Sequence, residues 1–435
     1  MTTLALTNLP RISTLDLATA VLATLELVSP SAADHQRRVA LIATGIAQAM
    51  DLPTTERHDL SIAALLHNIG AITSRTGHGF ADRGAGRRMG EIGHLLLSQS
   101  KPFEAIAEIV RYHESPWDEG DNAAEGKAVP FASHVVHLAN QVEQLIDPMT
   151  RIPDQVQSIR ERILDAAERR YHPEAILAFV ESSLDDGFWL DLTRGDPEAL
   201  LAERVGERYC KLTVDDLTDF AHLLGLIVDF NRDALATHSF AVAAAALGRY
   251  AGLEEARSRR LEVASYLNSL GKLTVPQTVR DRRIALNAEE RDIVRSNIRQ
   301  GSYALEETPG LRELGAWAAD HDGEASPEGY PFHLQGDAVS LEARIMAVAN
   351  RFVALTEDRP YRPALSLDDA KQTLEDYVEC EMIDGELVAK MIENVEEIDN
   401  ARKSAAAEDR GIHSRFRDLV MSDDHGPAMD ATAVA

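Results

Sequence analysis

Histidines and asparagines set singly into aliphatic helical sequence are the residues of this chain best placed to do chemistry. The stretch Ala63-Ala64-Leu65-Leu66-His67-Asn68-Ile69-Gly70 ends an apolar run with two polar side chains and a glycine. Burying polar groups costs free energy unless they are hydrogen-bonded or bound to a metal. His67 is therefore either a core histidine satisfied by a backbone carbonyl or a metal ligand. His35 shares a helical face with Val39, Ile42 and Ile46 and so points inward. His113 follows a helical run from Pro102 to Tyr112, and Asn140 lies with His137 on a run that starts at Pro130. Imidazoles and carboxylates on separate helices of a bundle can hold one or two divalent cations. Two such cations lower the pKa of a bridging water and clamp a phosphodiester for in-line attack. Carboxylates neutralise and bridge the cations, whereas an asparagine offers a neutral carbonyl oxygen. His94 and His137 stand apart from this set and read as surface or packed residues.

The elements that must position these residues are helices. Alternating β-branched runs are nearly absent, while helical spacing recurs throughout. Ser13 or Thr14 caps a first helix that carries Leu17, Val21, Leu25 and Val28 and stops near Pro30. A second runs from about Ser31 to Met50, and Pro53-Thr54 starts the one that delivers His67 and Asn68. Residues 75–90 read as a loop or short helix. Residues 152–208 form a helical connector in which Phe188-Trp189-Leu190 serves packing. Patterning resumes at Leu212, with Val214-Asp215-Asp216 as a start signal. The expectation is an all-α protein with two helical bundles in tandem, at 14–150 and 211–400, joined by a connector at 151–210. Residues 401–435, rich in Ala, Asp, Ser and Gly, are expected to form a poorly ordered tail.

Composition bounds the function. At 435 residues the chain is long for one core. Its 45% apolar and 26% charged content is that of a globular protein. No run approaches the ~18 apolar residues of a membrane span, and the start lacks the pattern of a signal peptide. Two cysteines, Cys210 and Cys380, make no disulfide framework. A cytoplasmic location is expected. The net charge of −27 argues against nucleic acid and against an anionic membrane surface. Local reversals at Arg83, Arg87 and Arg88 and at Arg280, Arg282 and Arg283 are solvated loops or seats for a small anion.

The chain also resembles itself at an interval of about 200 residues. His35 with Val39-Ala40 returns as His238 with Val242-Ala243, and Leu66-His67-Asn68-Ile69-Gly70 as Leu267-Asn268-Ser269-Leu270-Gly271. Tyr112-His113-Glu114 returns as Asp320-His321-Asp322, and Leu138-Ala139-Asn140 as Val348-Ala349-Asn350. Four elements in the same order indicate duplication of one helical unit.

These motifs resemble the HD superfamily of metal-dependent phosphohydrolases, and in particular bacterial proteins that pair an HD domain with an HD-GYP domain. The second half carries Asp320-His321-Asp322, Gly329-Tyr330-Pro331, Arg344-Ile345, Val348-Ala349-Asn350 and Arg359-Pro360-Tyr361-Arg362 in order. Leu270-Gly271-Lys272-Leu273 continues the family's His-Asp-x-Gly-Lys motif. The resemblance implies an all-helical fold, a divalent metal (iron, manganese or zinc) and hydrolysis of cyclic dimeric GMP in active members. By the same resemblance His35, His67 and His113 match metal ligands, with Asn68 and Asn140 where aspartates belong and Met89 where a helix histidine belongs. In the second half His238 and His321 remain. Asn268-Ser269, Asn297 and Asn350 occupy the other ligand positions, and Asp320 or Asp322 stands beside His321. Lys272, Arg359 and Arg362 match positions near the phosphate. Tyr330 and Pro331 match the loop that supports ligand and partner contacts. The alternative for Arg359-Pro360-Tyr361-Arg362 is to cap a helix and pack that loop.

Every carboxylate of the HD signature has thus become an amide or hydroxyl in both halves. Three readings follow. The first is a signalling protein on the HD-GYP scaffold that binds a cyclic dinucleotide or a protein partner with hydrolysis lost or weak. The second is a phosphohydrolase active at the N-terminal pocket. The third is an interaction scaffold in which the histidines form a hydrogen-bonded polar core.

Overall fold

The structure, a computed structural model, describes residues 12–28, 30–73, 83–117, 128–193, 195–206, 209–210, 212–232, 235–276, 279, 312, 339–358 and 363–421. The fold is all-α. Among the described residues, the β-structure is one antiparallel ladder pairing Ile12 with Cys210 and Ser13 with Tyr209. Two compact units arise. One comprises Met1–Ala33, Gln99–Pro102 and Glu207–Gly411 (the C-terminal unit). The other comprises Asp34–Ser98, Phe103–Gly206 and Ile412–Ala435 (the N-terminal unit).

Helix α1 (Thr14–Glu26) starts as its sequence dictates. Ser13 Oγ accepts from Asp16 N while the Asp16 carboxylate accepts from Ser13 N, so two of the helix's unpaired donors are satisfied together. Its buried Leu17, Val21 and Leu22 pack within the C-terminal unit, against the helix that opens the second half of the chain.

The N-terminal unit is built from α2 (Pro30–Ala49), α3 (Thr54–Leu66), a 3-10 turn (Ile69–Thr73), α4 (Arg83–Leu97), α5 (Glu104–Arg111) and α6 (Phe131–Gln144). The basic segment near residue 83 is thus helical from Arg83 onward. Three glycines allow this packing. A Cβ at Gly70 would stand 2.1 Å from the Met89 carbonyl oxygen, one at Gly90 2.3 Å from the Arg111 carbonyl oxygen, and one at Gly93 2.8 Å from Val110 Cγ1. The turn after His67, α4 and the end of α5 therefore approach backbone to backbone, as glycine alone permits.

Five short helices follow, α7 (Ile152–Asp165), α8 (Ala167–Arg170), α9 (Pro173–Ser182), α10 (Asp186–Leu190) and α11 (Pro197–Val205). They belong to the same unit as α2–α6. Phe188 and Trp189 are buried, Phe188 lies where a Cβ on Gly45 would clash, and Ser182 Oγ donates to the Gly45 carbonyl. Leu190, grouped with these aromatics in the sequence, is 52% exposed.

In the C-terminal unit α12 (Val214–Arg232), α13 (Thr237–Tyr250) and α14 (Glu255–Asn268) pack on one another and lead into a 3-10 turn (Ser269–Thr274). Helix, helix and 3-10 turn here repeat α2, α3 and the turn after His67. His238 occupies the place of His35, and Asn268-Ser269 that of His67-Asn68. Helix α15 (Leu341–Thr356) corresponds to α6, and α16 (Leu367–Glu379) and α17 (Gly385–Glu393) complete a core containing Phe240, Leu261, Met346, Phe352 and Met391.

The expected tail needs correction. Residues 401–421 continue a 27-residue helix, α18 (Val395–Met421); residues 422–435 lie outside the described residues. Alanine is the strongest helix former, so the Ala-rich composition favours this helix. Ile398, Ala405, Asp409, His413 and Phe416 are buried along it. Inside the C-terminal unit Arg402 Nη2 donates to the Thr356 carbonyl at 3.1 Å.

Candidate functional site

The HD positions of the N-terminal unit converge. α3 ends at Leu66, and His67 caps it in a helical conformation, so its fully buried ring turns into the junction with α2 and α5. His67 Nδ1–H donates to the Ala64 carbonyl at 2.7 Å and His113 Nδ1–H to the Val110 carbonyl at 2.7 Å. A carbonyl can only accept, so both rings carry their proton on Nδ1 and turn an Nε2 lone pair inward. His35 completes the group: its Nδ1 is hydrogen-bonded to Glu143 Oε2, whose other oxygen accepts from Arg38 Nε at 2.7 Å. Ring centroids are 5.3 Å apart for His35 and His67 and 5.2 Å for His67 and His113.

The Nε2 atoms face one another and the acidic group beside them. His35 Nε2 and His67 Nε2 lie 3.3 Å apart; with its Nδ1 committed as a donor, His67 Nε2 is an acceptor, for a proton carried by His35 or for a metal cation. His113 Nε2 is buried without a hydrogen-bond partner and faces Glu114 Oε1, a further acceptor, at 3.7 Å. Acceptors turned on one another call for a proton or a metal cation between them. The 3.3 Å separation suits two nitrogens each about 2.0–2.1 Å from one tetrahedral ion. A histidine that donates its other N–H to a carbonyl or carboxylate is also the usual supported ligand. His35 and His67 thus stand at the spacing of two ligands of one ion, whereas the ligand atoms of His35, His67 and His113 do not all come within 4.8 Å of one another.

Electrostatics agree. Burial holds His67 far below the ordinary imidazole value, and the neighbouring His113 and His35 lower it further. Burial lowers His113 too, against the opposing charge of Glu114. Both rings are thus held neutral, as ligation requires. Burial alone would raise the Glu143 carboxyl, but the hydrogen bonds and charges of His35 and Arg38 hold it below the usual range.

The two asparagines are placed differently. Asn140 is buried, donates from Nδ2 to Glu114 Oε1 at 2.8 Å, and accepts at Oδ1 from Gln144 Nε2 at 3.2 Å. The amide also hydrogen-bonds the His67 side chain, which raises the His67 pKa against the larger effect of burial. Asn68 is half-buried, and its carbonyl accepts from Ala71 N; among the described residues no hydrogen bond ties its side chain to the histidines. His137 is packed, donating from Nδ1 to the His113 carbonyl at 3.1 Å. Sequence reasoning missed Glu143 and Glu114. Glu143 lies one turn after Asn140 and Glu114 directly follows His113, so helical spacing and adjacency were the available signals.

In the C-terminal unit His238 turns to partners outside the HD pattern. Its Nδ1 lies 3.0 Å from Asp409 Oδ1, and His222 Nε2 lies 2.9 Å from the same oxygen. Burial alone would lower the His238 pKa, yet the Asp409 hydrogen bond and charge, with Glu408 and Glu262, raise it overall. Lys272 Nζ donates to Ser269 Oγ at 3.1 Å and stands 5.7 Å from the centre of the Phe240 ring. Asn350 is half-buried on α15. His321, Tyr330, Pro331, Arg359 and Arg362 lie outside the described residues, as do Asn297, Asp320, Asp322, Arg280, Arg282 and Arg283.

A helical unit that gathers histidines from successive helices, built twice in one chain, defines the class. Residues 32–172 match one family model described as an HD domain, and residues 222–387 match a second with the same description. The chain is a tandem HD-domain protein of the HD/HD-GYP type. It is 25% identical over 383 residues to 3'3'-cGAMP-specific phosphodiesterase 1 of Vibrio cholerae serotype O1, covering 85% of this chain and 89% of that one. It is 36% identical over 121 residues to the cyclic di-GMP phosphodiesterase response regulator RpfG of Xanthomonas campestris pv. campestris, covering 27% of this chain and 32% of that one. A solved structure of a cyclic GMP-AMP specific phosphodiesterase of V. cholerae (V-cGAP3) shares the fold. Its TM-score is 0.57 at 20% identity, over 88% of this chain and 98% of that chain. No described helix is long and apolar enough to cross a membrane.

Proposed function

We propose that this chain is a cyclic-dinucleotide signalling protein that binds its ligand on the HD scaffold with little or no turnover. The observation that carries this reading is the ligand set of the N-terminal pocket. Three supported imidazoles stand side by side there, two with their Nε2 atoms 3.3 Å apart, and amides occupy positions 68 and 140 where the family has carboxylates. His35 and His67, with His113 beside them, are the candidate ligands of one divalent ion, whose charge would offset that of a phosphodiester. Burial keeps His67 and His113 neutral, and the three rings are oriented by Ala64, Val110 and Glu143. No carboxylate at positions 68 or 140 is present to bridge a second cation, which is why binding outlasts hydrolysis. The relatives named for cyclic dinucleotides support the ligand class. Lys272, Arg359 and Arg362, with Tyr330 and Pro331, are the candidate phosphate and ligand contacts of the C-terminal unit, and a protein partner would read the bound state.

A second reading has one observation in its favour. Glu114 places a carboxylate oxygen 3.7 Å from His113 Nε2 and would serve a phosphohydrolase at the N-terminal pocket. Calorimetry with 3'3'-cGAMP and cyclic dimeric GMP, run beside product analysis, separates the two. Saturable binding without linear product is expected, weakened at least ~10-fold by His67→Ala and also weakened by Arg359→Ala. Turnover abolished by both His67→Ala and Glu114→Gln would replace the proposal with the second reading. No binding of either dinucleotide would leave the chain an interaction scaffold.

A further inference from the structure

A second convergence of ligand atoms lies in the C-terminal unit, and the HD pattern supplies one member of it. His222 Nε2, His238 Nδ1 and an Asp409 oxygen all fall within 4.8 Å of one another, a grouping not met elsewhere among the described residues. Both nitrogens stand against the same oxygen, at 2.9 and 3.0 Å, and the ring centroids are 4.5 Å apart. For metal–ligand bonds of about 2.0–2.2 Å, neighbouring ligand atoms sit roughly 3.0–3.4 Å apart. The two nitrogen–oxygen separations are close to that spacing, and the third pair lies within 4.8 Å.

The three side chains come from three separately anchored helices. His222 is on α12, held against α14 where a Cβ on Gly225 would meet Tyr266 Cδ1 at 2.8 Å. His238 is in the first turn of α13, which Asp229 caps by accepting from Thr237 N at 3.0 Å and Thr237 Oγ1 at 2.6 Å. Asp409 is on α18, which Arg402 fastens to Thr356. The Asp409 side chain is 2% exposed, whereas those of His222 and His238 are 18% and 12% exposed, so the group opens on one side. Glu262 is buried nearby with an oxygen on Arg259, and Glu408 adjoins Asp409, so the surroundings are acidic.

We infer that His222, His238 and Asp409 form a mononuclear site for a divalent cation of the zinc type, with solvent completing the coordination. Two imidazoles and one carboxylate suit such an ion. The bound ion clips α18 to α12 and α13, and this site is independent of the N-terminal histidines.

The test is zinc titration of the whole, chelator-stripped chain, with elemental analysis and thermal unfolding, in a His67→Ala background that silences the N-terminal pocket. One zinc is expected to remain bound and to raise the unfolding midpoint by several degrees. Cobalt(II) in its place should give the visible absorption of a nitrogen–oxygen site. His222→Gln/Asp409→Asn should lose both the equivalent and the shift. Should Asp409→Asn impair folding, His222→Gln alone, on the exposed side, should weaken zinc at least ~10-fold. No zinc retained in the His67→Ala background, or unchanged affinity after His222→Gln, overturns the site. Neither outcome touches the N-terminal proposal, which calorimetry with the dinucleotides judges separately.

Discussion

His67 shows how one hydrogen bond sets the chemistry of a residue. By giving its Nδ1 proton to Ala64 it keeps Nε2 as a lone pair inside the unit, where burial forbids a positive charge. The same burial makes the neighbouring His137 a probe of acid stability, since its pKa is lowered to about 4. An unfolded histidine titrates near 6.5. Between these values the unfolded chain takes up a proton that the folded one refuses. The stability is thus present above pH ~6.5 and lost as pH falls through ~4, by about 3 kcal/mol at most. Thermal unfolding followed from pH 7.5 to 4.5 should show the midpoint of the N-terminal unit falling, and His137→Asn should flatten that slope. An equal slope in the variant would assign the acid sensitivity elsewhere. Asp229 acts in the opposite sense. Burial raises its carboxyl to about 6, against the Thr237 hydrogen bonds, so its favourable protonated form is lost as pH rises through that value.

At the scale of elements, the glycine contacts hold the histidines in place. Gly70 follows the HD pair by two residues and lets the 3-10 turn lie directly on the Met89 carbonyl. Gly70→Ala forces backbone apart, because the added carbon meets a carbonyl oxygen and no flexible side chain. A loss on the order of 3 kcal/mol is expected, with weaker metal retention at the N-terminal pocket. Denaturant unfolding beside elemental analysis measures both, and a loss below ~0.5 kcal/mol would show that the contact is dispensable. Helix α18 teaches a complementary lesson. Read along the chain, its small and charged residues resemble a solvated tail. In the fold, Asp409 finds two histidines on other helices and Arg402 finds Thr356.

For the whole molecule, the compact units do not follow the chain order. α1 precedes every HD motif yet packs in the unit that contains residues 207–411. A fragment of residues 207–411 alone should therefore unfold at a lower temperature than one carrying residues 12–28 on a flexible linker. Loss of buried Leu17, Val21 and Leu22 removes roughly 1.5–3 kcal/mol for each side chain fully buried. Equal midpoints in calorimetry would show that α1 contributes nothing to that unit.

Much of the protein was legible in the residues themselves. Helical spacing gave the all-α class, Ser13 or Thr14 as cap the start of α1, and the order of repeated motifs the two HD units. His35, His67 and His113 could be picked out because a single polar residue on an apolar helical face has to be explained by local chemistry. Their approach to one another depended on close helix contacts at Gly70, Gly90 and Gly93. The roles of Glu143, Glu114, His222 and Asp409, and the capture of Asn140 by Gln144, were decided by which helices meet. Sequence determines what a helix face offers, because spacing along a helix is fixed by its geometry. Tertiary structure alone determines what that face meets, because a hydrogen bond or a metal bond depends on distances of a few ångströms between residues far apart in the chain.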